Sequence, residues 1–386
     1  MWGALLTIQS IIQPLRPLRV IYSQETGTFY VNPAARKKLK LHLIDLNLLI
    51  IYISSGVGLH EILSQETDHL DPEAEKLQTQ KAVLGAVVYV LFLGLFTCLL
   101  GISWTFKNRH NETVWMMSHA HSLHKERDSQ PSGESTSQEK KEGALFSVLL
   151  YALLFVCVTG LLTVTTIPFA SKNTPAHVIF TQLLPFPKDS FVFALVCAIY
   201  LGISGYFGVI LVVQAFCYIT AVLYEIKFVL KGGYHTVETR KDFTFKREWL
   251  AYGQATIFVR EVNLFGFVFF PIIMIVGFCI NVVTSLVCIK YYHQLPLPML
   301  LVLLGFDGVT IIATLVTHNF AVVAEEESEK FKKYWTPRLV SRLQRKQGLA
   351  CMPMAIQIGS FFHLKRSTLL NTINEVVNLV VTLLIV

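Results

Sequence analysis

Residues 191–224 read FVFALVCAIYLGISGYFGVILVVQAFCYITAVLY, 34 residues without a charge or a proline. As a helix rising 1.5 Å per residue, such a stretch reaches about 50 Å, well beyond the roughly 30 Å hydrocarbon core of a bilayer. Whether it is one helix or two decides how often the chain crosses a membrane and on which side everything after it lies. No turn cluster or charge pair divides it. It is therefore read as one long helix whose far end, about Tyr218 to Leu230, leaves the membrane and packs against other protein.

Six further apolar runs flank it, at 41–59, 82–104, 144–167, 264–289, 298–323 and 369–386. The composition agrees with a multi-pass membrane chain. Of 386 residues 53% are hydrophobic and 15% charged, whereas soluble domains carry about a quarter charged residues. Gln9, Gln13 and Pro14 interrupt the first apolar stretch and no small-residue cleavage site follows, so a signal peptide is not expected.

The 33 Lys and Arg all fall outside the seven runs. From the N-terminal arm onward the successive intervals hold 6, 2, 6, 2, 7, 1 and 9 of them, which places 28 on one side and 5 on the other. Basic loops stay in the cytoplasm. The expected fold is thus an all-α membrane protein of seven transmembrane helices with a cytoplasmic N-terminus and an extracellular C-terminus, the reverse of a G-protein-coupled receptor. Splitting the 191–224 run would send the two most basic intervals outside. The net charge of +7 is then chiefly topogenic and does not call for a nucleic-acid partner.

The expected organisation is a cytoplasmic arm over 1–40, six helices within 41–323, a cytoplasmic region over 324–368 and a last helix over 369–386. Residues 127–143 (RDSQPSGESTSQEKKEG) are polar, lack large apolar side chains and are expected to be disordered. Val114 to His124 suits a short interfacial helix. All seven cysteines lie in or beside apolar runs, which leaves no disulfide framework or CxxC site. No phosphate loop, Ser/His/Asp arrangement or HExxH motif occurs, so neither enzymatic activity nor a cofactor is expected. His119, His121 and His124 lack a carboxylate or thiolate at ligand spacing and read as a solvated face, with no metal. The one sequon, Asn111-Glu112-Thr113, falls in an interval assigned to the cytoplasm.

Three acidic residues lie within the runs: Asp45, Asp307 and Glu375. A carboxylate in a membrane costs several kcal/mol unless it meets protein, water or a partner. Asp45 sits near a span end and can reach the interface. Asp307 lies between Gly305 and Gly308, where a helix break and a ligand contact are equally open readings. In the last run, at 100° per residue, Asn371, Asn374, Glu375, Asn378 and Thr382 fall at about 0°, 300°, 40°, 340° and 20°, one polar stripe on a Leu/Ile/Val helix. Such a stripe is either a pore wall or a face buried in a bundle through Asn hydrogen bonds. A pore needs several copies around an axis, and a ring of Glu375 favours cations. Near the outer end, Thr382 and Ile385 are placed to form a constriction.

With that orientation, polar and aromatic residues of the outer span halves are candidates to line a small-molecule pocket: Tyr89, Phe92, Thr159, Thr163, Thr166, Tyr200, Ser204, Asn281, Thr284 and Asp307. For any one of them ordinary interhelical packing is the competing reading.

The approach to the last run, LACMPMAIQIGSFFHLKRSTLL at 349–370, with its phenylalanine-rich turn and basic pair before Ser367, resembles the C-terminal signature of the insect-type gustatory and odorant receptor superfamily. The N-terminal LRPLRVI at 15–21 and GTF at 27–29 look like that family's entry segment. The chain departs from the family's final Thr-Tyr to Gln-Phe motif, carrying Asn378-Leu379 and Ile385-Val386 at those positions. What the resemblance implies is a divergent gustatory-receptor-like subunit of a homo- or heterotetrameric, non-selective cation channel in the plasma membrane, gated by a tastant or odorant. The last helix would line the shared pore, and the cytoplasmic parts of spans four to seven would anchor the tetramer. A G-protein-coupled receptor and a secondary transporter are the alternatives.

Overall fold

The computed structural model describes residues 2–12, 20–23, 26–31, 39–64, 72–128, 137–170, 174–183, 190–235, 245–293, 297–338 and 353–385, with isolated positions between 338 and 353. Within the helices a subset of side chains, those of Thr159 and Thr163 among them, lies outside the described residues.

The chain is helical nearly throughout. After α1 (Trp2–Ile12) come a two-stranded antiparallel hairpin, β1 (Val20–Ser23) and β2 (Thr28–Val31), and the helices α2 (Leu39–Leu63), α3 (Pro72–Asn108), α4 (His110–Asp128) and α5 (Ser137–Ala170). The short α6 (Pro175–Leu183) leads into α7 (Phe191–His235), α8 (Phe245–Tyr291) and α9 (Leu297–Trp335). A second hairpin, β3 (Gln357–Ile358) and β4 (Phe362–His363), precedes α10 (Arg366–Ile385). Each of the seven apolar runs lies within one helix over its described residues. Among the described residues α2, α3, α7, α8 and α10 are long and apolar enough to cross a membrane.

The 191–224 run lies within a single helix, α7, of 45 residues, about 67 Å long, so one end must extend past any bilayer. That end is wrapped by the rest of the chain. Ala215, Ala221, Val222, Leu223, Ile226 and Leu230 are buried in a core shared with Trp2, Leu5 and Ile8 of α1, Val20 and Phe29 of the first hairpin, Met117 of α4 and Phe331 of α9. A second core fills the space between α2, α3, α6 and α7, centred on Leu48, Ile51, Phe92, Phe96, Phe193 and Leu201. The bundle thus has an α4 end and an α6 end.

Of the polar stretch 127–143, residues 127–128 close α4 and 137–143 open α5, while 129–136 lie outside the described residues. The histidines of α4 are not a solvated face: His121 is buried, and Trp2 stacks on His124 with ring centroids 5.8 Å apart. The apolar hairpin and α1 supply partners that local polarity could not announce. Nor does Gly305 to Gly308 break a helix, because α9 runs unbroken from Leu297 to Trp335. Two glycines in a long apolar helix cost about 1 kcal/mol each, too little to interrupt the backbone bonds a membrane demands.

Candidate functional site: the last helix and the α8–α9 polar cluster

The segment before α10 is fixed by two helices. Asn263 of α8 holds one edge of the chain entering β3, its Nδ2–H donating to the Ala355 carbonyl and its Oδ1 accepting the Gln357 N–H, both at 2.9 Å. The Met354 N–H donates to Ser328 Oγ of α9 (2.9 Å). Gly359 makes the turn at φ +55°, a left-handed conformation that favours glycine, and a Cβ there would stand 2.9 Å from Pro271 of α8.

α10 starts at a cap. The Lys365 N–H donates to Thr368 Oγ1 (3.1 Å), half of a reciprocal capping box. His318 Nε2–H of α9 donates to the Lys365 carbonyl (2.8 Å), and Glu326 pairs with Arg366 (3.1 Å), offsetting a cation at a positive helix end. Asn263, His318, Glu326 and Ser328 were not singled out from sequence. None carries a local motif, and their role depends on a partner 40 or more positions away in three of the four cases and 26 away in the fourth.

Beyond its foot α10 is nearly bare. Thr372, Val376, Val380 and Leu384 are its more covered positions, and Val380 at 6% exposure sits at about 180° on the wheel that has Asn371 at 0°. Asn371, Asn374, Glu375, Asn378 and Thr382 are exposed, and so is Ile385 at 81%. The polar stripe therefore points away from the helices that carry it. Burial of the stripe inside its own bundle is not what this chain does.

The ligand-pocket candidates divide into two groups. Tyr89, Phe92, Tyr200 and Ser204 belong to the α2/α3/α6/α7 core. Tyr89 is buried, its hydroxyl donating to the Thr174 carbonyl (3.4 Å), and its ring fills the space that Gly58 leaves by lacking a Cβ. Phe92 stacks on Phe96, and Tyr200 meets Phe180 edge-on at 5.2 Å. Ser204 donates to the Tyr200 carbonyl (2.8 Å) and accepts from Asn47 Nδ2 (2.7 Å). Thr166 is exposed, apart from this group.

Asn281, Thr284 and Asp307 form the second group, between α8 and α9. Thr284 donates to Asp307 Oδ1 at 3.0 Å and Ser285 approaches Oδ2 at 3.4 Å. Thr310 donates to Asn281 Oδ1 and lies 2.9 Å from the Asp307 carbonyl. Ser285 and Thr310 were missed by the sequence reading, although their spacing, four after Asn281 and three after Asp307, puts them on the same helix faces. Val287 and Leu303 form a small apolar core beside this cluster with Val87, Leu91, Cys288 and Leu300. Asp45, the remaining intramembrane acid, is half-buried and accepts from Ser103 of α3.

No protein-family model matches the sequence, and no curated protein matches it either. Solved structures do match. The olfactory receptor OR5 from the insect Machilis hrabei in complex with eugenol superposes with a TM-score of 0.72 over 98% of this chain and 97% of that one, at 11% identity. A second structure of OR5 gives 0.65 over 91% of this chain and 90% of that one, at 12% identity. Over nearly its whole length the chain has the fold of an insect olfactory receptor, the superfamily that its C-terminal segment resembles.

Proposed function

We propose that this chain is a subunit of a chemosensory, ligand-gated cation channel of the gustatory type in the plasma membrane, working as a homo- or heterotetramer opened by a small extracellular tastant or odorant. The observation that carries the reading is the polar stripe of α10 turned away from its own bundle. Lipid leaves Asn and Glu unsatisfied, so the stripe needs water or other subunits. Copies of α10 around an axis give both, with Asn371, Asn374, Glu375 and Asn378 along the conduction path and Thr382 and Ile385 near its outer end. In this reading the α4 end, with residues 1–40 and 324–368, is cytoplasmic, and the seven helices span with the C-terminus outside. The likeness to a receptor structure that holds eugenol supports a small-molecule ligand.

α9 provides the link between ligand and pore. Asp307 and His318 are 11 residues apart, which puts them within about 20° on one helix face and about 16 Å apart along the axis. A ligand that binds the open arrangement more tightly shifts the equilibrium by that differential affinity alone. Movement of α9 reaches α10 through the His318–Lys365 bond and the Glu326–Arg366 pair.

Glu375→Gln in an expressed channel tests the charge ring: reduced conductance and weaker cation preference are expected, and unchanged values would remove that role. Antibody access to a C-terminal tag on intact cells tests the orientation. A G-protein-coupled receptor requires the opposite sidedness. A transporter had its one sequence hint in the Gly305–Gly308 break, and α9 is continuous there.

A further inference from the structure

We propose that Asp307, with the hydroxyls of Thr284 and Ser285, recognises a protonated organic amine whose apolar part lies against Val287, Leu303 and Leu91. The inference rests on the chemosensory reading above and names the ligand class for one of its two candidate groups.

The reasoning is a donor and acceptor count. An ionised carboxylate offers about four acceptor positions. The donors on Asp307 are two hydroxyls, one at 3.0 Å and one at 3.4 Å, beyond the usual range for an O–H donor. The Thr284 proton is also claimed by the Ile280 carbonyl at 2.7 Å, and a hydroxyl has only one to give. Thr310, the nearest further hydroxyl, is turned to Asn281. Among the described residues no cation forms an ion pair with Asp307. A half-buried carboxylate in a membrane-spanning helix is thus short of both hydrogen-bond donors and positive charge. An ammonium group brings three donors and a full charge. The apolar side chains beside it, which run to Tyr291, supply the surface against which an alkyl or aryl tail would pack.

The other candidate group lacks this property. Tyr89 and Ser204 are neutral and already bonded within the chain. Selection for charge therefore belongs to the α8–α9 cluster.

The test uses the full-length chain and a series of primary n-alkylamines, butyl to octyl, with the matching alcohols. Two readouts run side by side: evoked current in expressing cells, and thermal stabilisation of the purified protein in detergent. Amines should stabilise the wild type and open it, with Asp307→Asn raising the half-effective amine concentration about tenfold or more relative to that of the matching alcohol. Asp307→Glu should restore part of the loss. Should Asp307→Asn fail to fold, Thr284→Val serves, with a smaller rise in the ratio of amine to alcohol half-effective concentration. Stabilisation by sodium ions alone, with amines inert, overturns the proposal in favour of an inorganic cation, and equal amine responses in wild type and Asp307→Asn overturn it outright. Asp307-dependent amine binding without current removes the channel reading and leaves this inference standing; alcohol-evoked current with amines silent does the reverse.

Discussion

The far end of α7 and the whole of α10 are both apolar helix, yet one is covered on every side and the other on little more than one. Ala221 and Leu223 of α7 are fully buried, whereas Leu370 of α10 is 65% exposed. Hydropathy treats the two alike. The difference lies in who supplies the partners. α7 receives them from its own chain, through α1, the first hairpin, α4 and α9, and Glu225 illustrates how complete the supply is, accepting from Trp2 Nε1 at 2.7 Å and facing His124 at 3.6 Å. Among the described residues α10 is held at its foot and along one narrow face, and its polar stripe is left uncovered.

The sharpest way to break this comparison is to charge both helices. Leu223→Asp puts an unpaired carboxylate in a packed core at a cost of several kcal/mol, and recovery of folded protein by size exclusion should collapse. Asn374→Asp on the stripe should leave that recovery unchanged and alter conduction instead. Equal losses would mean that the stripe is packed rather than bare. A smaller effect is expected from Trp2→Phe, which keeps the ring and removes the donor to buried Glu225. About 1–3 kcal/mol of stability should go, seen as a lower melting temperature, with unitary currents unaffected.

His318→Ala cuts the bond from α9 to the foot of α10. It should raise the half-effective ligand concentration about three- to tenfold, the value of one hydrogen bond, without changing current through open channels. A change in unitary current instead would put His318 in the conduction path. The smallest effect concerns pH. Burial, and to a lesser degree Lys125, holds the His121 imidazole below its ordinary value. The folded chain keeps this ring neutral while an unfolded chain takes up a proton near pH 6.5. Between the depressed value and about 6.5 the unfolded state binds more protons, so stability rises with pH and falls on acidification. Melting at pH 5.5 should therefore lie below melting at pH 7.5, and His121→Phe should flatten that difference.

The residues that were legible and those that were not differ in one respect. The stripe of α10 and the single-helix reading of 191–224 follow from spacing and composition within one segment, and both could be laid out by counting. Asp307 could be flagged as costly but not explained, because its hydroxyl partners stand on α8, 22 and 23 positions earlier. His121 was misread for the same reason: its neighbours Trp2, Tyr22 and Phe29 lie about a hundred residues away in the chain. Thr159 and Thr163 have side chains outside the described residues, so their candidacy rests on sequence.

By itself the sequence determined the seven apolar runs, the uneven division of 28 and 5 basic residues between alternate intervals, and the existence of one polar face on the last helix, since hydropathy, charge placement and the 100° step are properties of neighbouring residues. Only the tertiary structure decided that the face turns outward, that α7 ends inside a core, and that His318 of α9 meets the Lys365 carbonyl at the foot of α10. Those outcomes depend on which distant surfaces meet, and a buried contact is a property of two segments that no single segment carries.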